Sequence, residues 1–155
     1  MLTIEEKATN AETLEHIRKV QENISKMIHS LLDRARDHDQ SKLESPELEV
    51  FTQHTHNLKN LEYGTKAYED NLLTIKPALD HHYAKNRHHP QHFKSGINDM
   101  NLIDLCEMLC DWRASTERNA NGNILTSLEI NAKKFGIDAQ LLGILRNTVY
   151  IFEQQ

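Results

Sequence analysis

Apolar residues recur along this chain at three- and four-residue steps, and nowhere do they alternate over the two-residue period of a strand. Leu14, Ile17, Val20, Ile24, Ile28, Leu31 and Ala35 form the longest stripe. They predict a helix over 11–36, capped by Asn10 and laying one face on a core, after a short first turn closed by a Thr3–Glu6 capping box. Ser45, Pro46 and Glu47 read as N-cap, first helical residue and first-turn acid of a helix running through Phe51 towards Leu61. Tyr63-Gly64-Thr65 marks a turn. From Lys66 the pattern is helical again, with Tyr68, Leu72, Ile75 and Leu79 inward and Pro77 as a bend. Pro90 ends this helix at about His88 or His89, because the residue before a proline is pushed out of the α region.

Phe93 to Asn98 is a loop into the next helix, within 100–115, where Leu102, Leu105, Leu109 and Trp112 face a core. Ile103, Met108 and Cys110 make that helix apolar nearly all round, and it is expected to be mostly buried. Residues 119–123 read as a turn. Two short helices follow, Ile124 to Phe135 and Ala139 to Phe152, divided by Gly136 as a stop and Asp138 as the next cap. Their expected core residues are Leu125, Leu128, Ile130, Leu141, Leu142, Ile144, Leu145 and Val149. The fold class is therefore all-α, a single-domain helical bundle over residues 1–155.

Composition sharpens this picture. A chain of 155 residues is expected to form one domain burying close to 70% of its unfolded surface. The formal net charge of -5 argues against bulk electrostatic binding to nucleic acid or anionic membrane. No apolar run reaches the roughly 18 residues of a membrane span, and the opening MLTIEEKATN is too acidic for a signal peptide. Cys106 and Cys110, the only cysteines, sit four apart on the apolar helix and read as small core residues in a reducing compartment. These features lead us to expect a soluble cytoplasmic protein with a small-molecule partner, free to form a homo-oligomer.

Candidate chemistry is concentrated in HHYAKNRHHPQH, residues 81–92, which hold five of the ten histidines. On a helix, His82, Asn86 and His89 project in one row, with His81, His88 and His92 beside them. Neutral imidazoles converging on one point hold a divalent ion at about 2.0–2.1 Å. A polar helix end with solvated histidines is the plainer alternative. In the following helix Asp104, Glu107, Asp111 and Ser115 share one face, and carboxylates on a buried helix need a cation or hydrogen-bond donors. His38-Asp39 adds an imidazole and a carboxylate able to ligate one or two ions, although a solvated interhelical turn carries the same dipeptide.

His38-Asp39-x-x-Lys42, the pairs His81-His82 and His88-His89, and Asp111 in an apolar helix together resemble the HD superfamily of all-helical, metal-dependent phosphohydrolases, particularly its phosphodiesterase branch. HDQSKLESPELEVF, PALDHHYAKNRHHPQHF and MNLIDLCEMLCDW are also similar to an uncharacterised family of small proteins of bacteria and phages, a likeness covering most of residues 10–150 and bringing no substrate. The resemblance implies an HD-like bundle in a bacterial cell or phage-infected host. It implies metal ligation by His38, Asp39 and Asp111, with His82 and His89 at the same or a second ion. Lys42 would face a substrate phosphate, joined in an anion pocket by Asn86, His88 and Arg113. Asp39 or Asp111 would position the water. The superfamily's first histidine falls on His16, which sits 22 residues before His38, too far in one unbroken helix; either the helix breaks near Asn23, or His29 substitutes, or the arrangement around the ligands differs. A mixed His/Asp set suits manganese, iron, cobalt, nickel or zinc. The expected activity is hydrolysis of a nucleotide or cyclic nucleotide; the alternative is a non-catalytic protein sequestering a nucleotide or metal in the same pocket.

Overall fold

The computed structural model describes residues 2–58, 66–118 and 121–153, with side chains at 55–58, 67–72 and 153 left aside. Every regular element among them is helical. The expected turn at Tyr63-Gly64-Thr65, the first two residues of the 119–123 turn, and the inward positions of Tyr68 and Leu72 lie outside what is described. The chain divides into two units, residues 1–36 and 37–155.

The first unit is one helix, α1 (Ile4–Asp37). Its start is the capping box read from the sequence: Glu6 donates its backbone N–H to Thr3 Oγ1 at 3.1 Å, and Thr3 N–H donates to Glu6 Oε2 at 2.7 Å. The box opens the whole helix rather than a separate first turn, so Asn10 is an interior residue and no cap. Nor does the helix break near Asn23. A single helix has no interior, and α1 buries none of its residues; its apolar stripe does not form the buried face that the periodicity suggested.

The second unit begins with a polar turn and a short 3-10 segment at Gln40–Leu43. α2 (Glu47–Leu58) and α3 (Lys66–Lys85) then pack against each other. α2 starts one residue later than expected, after a cis Ser45–Pro46 bond, so Pro46 precedes the helix and Glu47 opens it. α3 contains Pro77 and buries Ile75 and Ala78. It ends at Lys85, three residues short of the expected stop. Pro90 does hold His89 in an extended conformation (φ −94°, ψ 127°), but the chain has already left the helix, and short 3-10 segments at Pro90–His92 and Gly96–Asp99 carry it to α4.

α4 (Leu102–Glu117), α5 (Ile124–Phe135) and α6 (Ala139–Val149) build the apolar core. Met108, Leu109, Trp112, Ile124, Leu128, Leu145 and Val149 are buried together, and Trp112 stacks on Phe135 at 6.0 Å between ring centroids. Local signals place these helices well. Asn101 and Asp104 form a capping box on α4, Asn123 and Asp138 cap α5 and α6, and Gly136 ends α5 with φ 65°, a left-handed conformation glycine adopts without a Cβ clash. The all-round burial expected of α4 is not found: Leu102, Cys106 and Cys110 are exposed. Leu125, Ile130 and Ile144 also face outward, because a three-helix core covers one stripe of each helix and leaves the flanking apolar positions at the surface.

Candidate metal centre

The centre lies where three segments of the second unit meet: the turn at His38-Asp39, the His82–His89 run ending α3, and one face of α4. Each arrives for a local reason. Asp39 has a left-handed backbone (φ 57°, ψ 13°), tolerated by aspartate better than by most non-glycine residues, and opens the 3-10 segment at Gln40–Leu43. At the far end of α3 the amide of Asn86 donates to the His82 carbonyl at 2.9 Å and to Ser41 Oγ at 2.8 Å. The early end of α3 lets His88 and His89 fold back on His82, whose Nε2 lies 2.8 Å from His89 Nε2. His92 holds this reversal by donating from Nδ1 to the Tyr83 carbonyl at 2.8 Å.

Two overlapping sets of side chains converge, Asp39, His82, His88 and His89 in one, and His38, Asp39, His88 and Asp111 in the other, with candidate donor atoms in each within 4.8 Å of one another. Asp39 Oδ1 is 3.3 Å from His82 Nε2 and 3.5 Å from His88 Nε2. His38 Nε2 is 3.6 Å from Asp39 Oδ2 and 3.9 Å from Asp111 Oδ1. Two atoms bound to one ion at about 2.1 Å are separated by at most about 4.2 Å, and all these pairs satisfy that limit. Asp39 Oδ1 and His88 Nε2 are buried and accept or donate no hydrogen bond. Buried polar atoms are ordinarily paired, so an oxygen and a ring nitrogen left over side by side fit a divalent cation.

Behind the donors stand two carboxylates. Glu107 Oε1 accepts from His38 Nδ1 at 2.9 Å, and His88 Nδ1 lies 3.0 Å from the same oxygen, off the axis of a hydrogen bond. Glu47, fully buried, takes His81 Nδ1 on one oxygen at 2.7 Å and His82 Nδ1 on the other at 2.8 Å. Exposure is graded across the centre. His88 and His82 are 1% and 2% exposed, whereas Asp111, His38 and Lys42 reach 21%, 29% and 42%. One side is sealed and the other opens to solvent.

The electrostatics follow from this packing. The hydrogen bond to Glu107 raises the His38 pKa, outweighing burial, with help from the Asp39 and Asp111 charges. Burial pushes the Asp39 carboxyl up, but its hydrogen bond to Lys42 and that ammonium's charge bring it below the usual range. Burial also opposes ionisation of Glu47, and its bonds to His81, Ser41 and His82 prevail. Burial, then repulsion from His88 and His82, drives His89 down to about 3, and burial likewise lowers His82.

Of the residues singled out in the sequence, His38, Asp39, His82, His89 and Asp111 come together here. His88, expected in an anion pocket, belongs to both sets instead. Asn86, expected beside it, is buried with its amide committed to Ser41 and His82. Arg113, two residues from Asp111 and so on another side of α4, lies 3.2 Å from Glu117. Lys42 Nζ donates to Asp39 Oδ2 at 2.6 Å. Asp104 is fully buried and bonded to Arg87 Nε at 3.1 Å and Nη2 at 2.9 Å; its cation is that guanidinium, and it serves the cap of α4. His16 lies in α1, in neither set, and 21 unbroken residues separate it from the end of that helix at Asp37, roughly 32 Å. His29, exposed on the same helix, bonds to the Ser25 carbonyl at 2.7 Å. Sequence reasoning missed Glu47 altogether, since a glutamate opening a helix carries no mark of the imidazoles that another helix brings to it.

No curated protein and no solved structure matches this chain. A family profile spans residues 5–151, nearly the full length and the whole of the centre, and the chain therefore belongs to the family of unknown function DUF5662.

Proposed function

We propose that this protein is a metal-dependent phosphohydrolase of the HD type, cleaving a nucleotide or cyclic nucleotide by attack of water on phosphorus. The observation that carries the reading is Asp39 Oδ1, buried without a hydrogen bond between His82 Nε2 and His88 Nε2. His38, Asp39, His82, His88, His89 and Asp111 would hold one or two divalent ions, and four imidazoles with two carboxylates favour manganese, iron, cobalt, nickel or zinc. His88 has one ring nitrogen facing Asp39 and the other facing Glu107, so it serves a single ion. When bound, such an ion lowers the pKa of water towards neutrality and neutralises charge on a phosphoryl group.

The chain's own groups supply the remaining steps. The graded exposure supports a catalytic rather than a closed structural site, because a catalytic centre keeps a position open. A substrate enters over the His38, Asp111 and Lys42 edge. Asp111 and Asp39 accept hydrogen bonds from the attacking water and orient it in line with the scissile bond. Lys42, on the open rim, exchanges its contact with Asp39 for a phosphate oxygen, where a point charge suffices. The buried His82–His88–His89 side keeps bulk water from the rear of the centre.

Purification without chelator, followed by plasma mass spectrometry, tests the reading. Near-stoichiometric transition metal is expected in the wild type and its loss in His38→Ala and Asp111→Ala. A screen of nucleotides and cyclic nucleotides with manganese is then expected to reveal hydrolysis that both substitutions abolish. Metal without turnover would favour a sequestering protein, and no metal even after reconstitution would end the hydrolase reading and leave a helical binding or structural protein.

A further inference from the structure

Glu47 and Glu107 belong to neither ligand set, yet each lies against two imidazoles. Their role follows from where the protons must be. An ionised carboxylate only accepts hydrogen bonds, and a neutral imidazole has one N–H and one lone pair. Glu47 Oε2 lies 2.8 Å from His82 Nδ1, and Asn86 Nδ2 approaches the same nitrogen at 3.0 Å. Asn86 has two N–H groups, and they are spent on Ser41 Oγ and the His82 carbonyl. No proton of Asn86 remains for His82 Nδ1, and the Ser41 hydroxyl, 3.4 Å from that nitrogen, bonds to the Glu47 carboxylate, so the nitrogen is itself the donor, to Glu47. The same reasoning holds at His38, whose Nδ1 lies 2.9 Å from Glu107 Oε1.

We infer that Glu47 and Glu107 are positioning residues that lock His82 and His38 as their Nδ1–H tautomers, leaving both Nε2 lone pairs facing the other donors of the cluster. In that tautomer His82 Nε2 and His38 Nε2 are acceptors 3.3 Å and 3.6 Å from Asp39 oxygens; His89 Nε2, 2.8 Å from His82 Nε2, can donate a proton to it in the metal-free protein, whereas a cation would serve all of these acceptors. The use made of those lone pairs rests on the metal reading, whereas the tautomers do not. Outer carboxylates of this kind fix ring orientation and raise ligand basicity, and their loss typically weakens metal binding by about 10–100-fold. Glu47 has a second task, because its other oxygen holds His81 Nδ1 at 2.7 Å. Two acceptors on one buried carboxylate thus serve two rings, and glutamine, with one acceptor and one donor, cannot replace both.

Long-range nitrogen–proton correlation spectra of the metal-free protein, recorded at alkaline pH where the imidazoles are neutral, decide the matter. The wild type is expected to show protonated Nδ1 and bare Nε2 for His82 and His38. Glu107→Ala, which removes the acceptor altogether, is expected to release the His38 tautomer, and Glu47→Gln to reverse one of His81 and His82. Zinc titration is expected to read a loss of about 10–100-fold in affinity for each variant. Protonated Nε2 in the wild type, or wild-type tautomers in both variants, would overturn the assignment. The wild-type spectrum alone suffices should a variant not fold. Failure of the wild type to bind zinc, with the Nδ1–H tautomers present, would refute the metal reading and leave the assignment standing.

Discussion

Asp39 combines three things that rarely coincide in one residue: a left-handed backbone, a partly buried carboxylate, and imidazoles about one of its oxygens. Backbone strain held at a polar cluster is characteristic of functional sites. The histidines around it make the metal-free protein sensitive to acid, and the sign can be worked out group by group. His89 has its pKa lowered from 6.5 to about 3 on folding, so the unfolded chain takes up a proton that the native state refuses. Its effect is a loss of stability as pH falls from about 6.5 towards 3, with a slope approaching 1.4 kcal/mol per pH unit; His82, also lowered, acts in the same direction. Asp39 and Glu47 are lowered too; their contribution is present above the ordinary carboxylate range and vanishes as pH drops through their folded values. His38 is raised, and its contribution, complete below 6.5, is lost as pH rises through its folded value. Metal-free protein is therefore expected to be most stable near neutrality and to lose urea resistance steeply below about pH 6. A midpoint unchanged between neutral pH and about 4 would contradict these assignments.

At the scale of elements, α4 joins core to centre. Met108, Leu109 and Trp112 pack inward, Glu107 and Asp111 reach the histidines, and Asp104 ties the cap to Arg87. Two substitutions separate these contributions. Leu128→Ala empties a fully buried position beneath α4 and is expected to cost about 2–5 kcal/mol, while Asn101→Ala removes one cap and is expected to cost about 1 kcal/mol. Denaturant unfolding followed at Trp112 reads both, and equal effects would mean that the core is not where stability is held. The Thr3–Glu6 capping box of α1 and the Asp138 cap of α6 were legible in the sequence because each is a local bond between residues three apart. The end of α3 was not: Pro90 forbids helix only at its own neighbour, whereas the actual stop at Lys85 falls where Asn86 bonds to Ser41, a residue 45 positions away.

For the molecule as a whole, the centre fastens three stretches of the second unit that are remote in sequence, at 38–39, 82–89 and 107–111. Among the described residues no helix is long and apolar enough to cross a membrane, and the chain's net charge is -5, which a bound divalent cation would partly balance. An ion bound by the native state alone stabilises it by RT ln(1 + [L]/Kd), about 2.7 kcal/mol at a hundredfold excess over Kd. Zinc or manganese is expected to raise the melting temperature of the wild type by several degrees, reversibly with chelator, and to leave His38→Ala unmoved. An equal rise in the variant would assign the effect to ions bound elsewhere.

The sequence by itself determined the helical class, the capping box of α1, the Asp138 cap and the residue types of a candidate metal centre, since periodicity, capping and donor chemistry are properties of short segments. It reached His38, Asp39, His82, His89 and Asp111 as candidates because clustered histidines and a resemblance drew attention to them. Tertiary structure decided which neighbours they meet. It placed His88 among the donors, assigned Asp104 to Arg87 and Asn86 to Ser41, and brought Glu47 from the start of α2 to the back of His82. A carboxylate's partner depends on which element packs beside it, and that is a property of the packed chain rather than of any stretch within it.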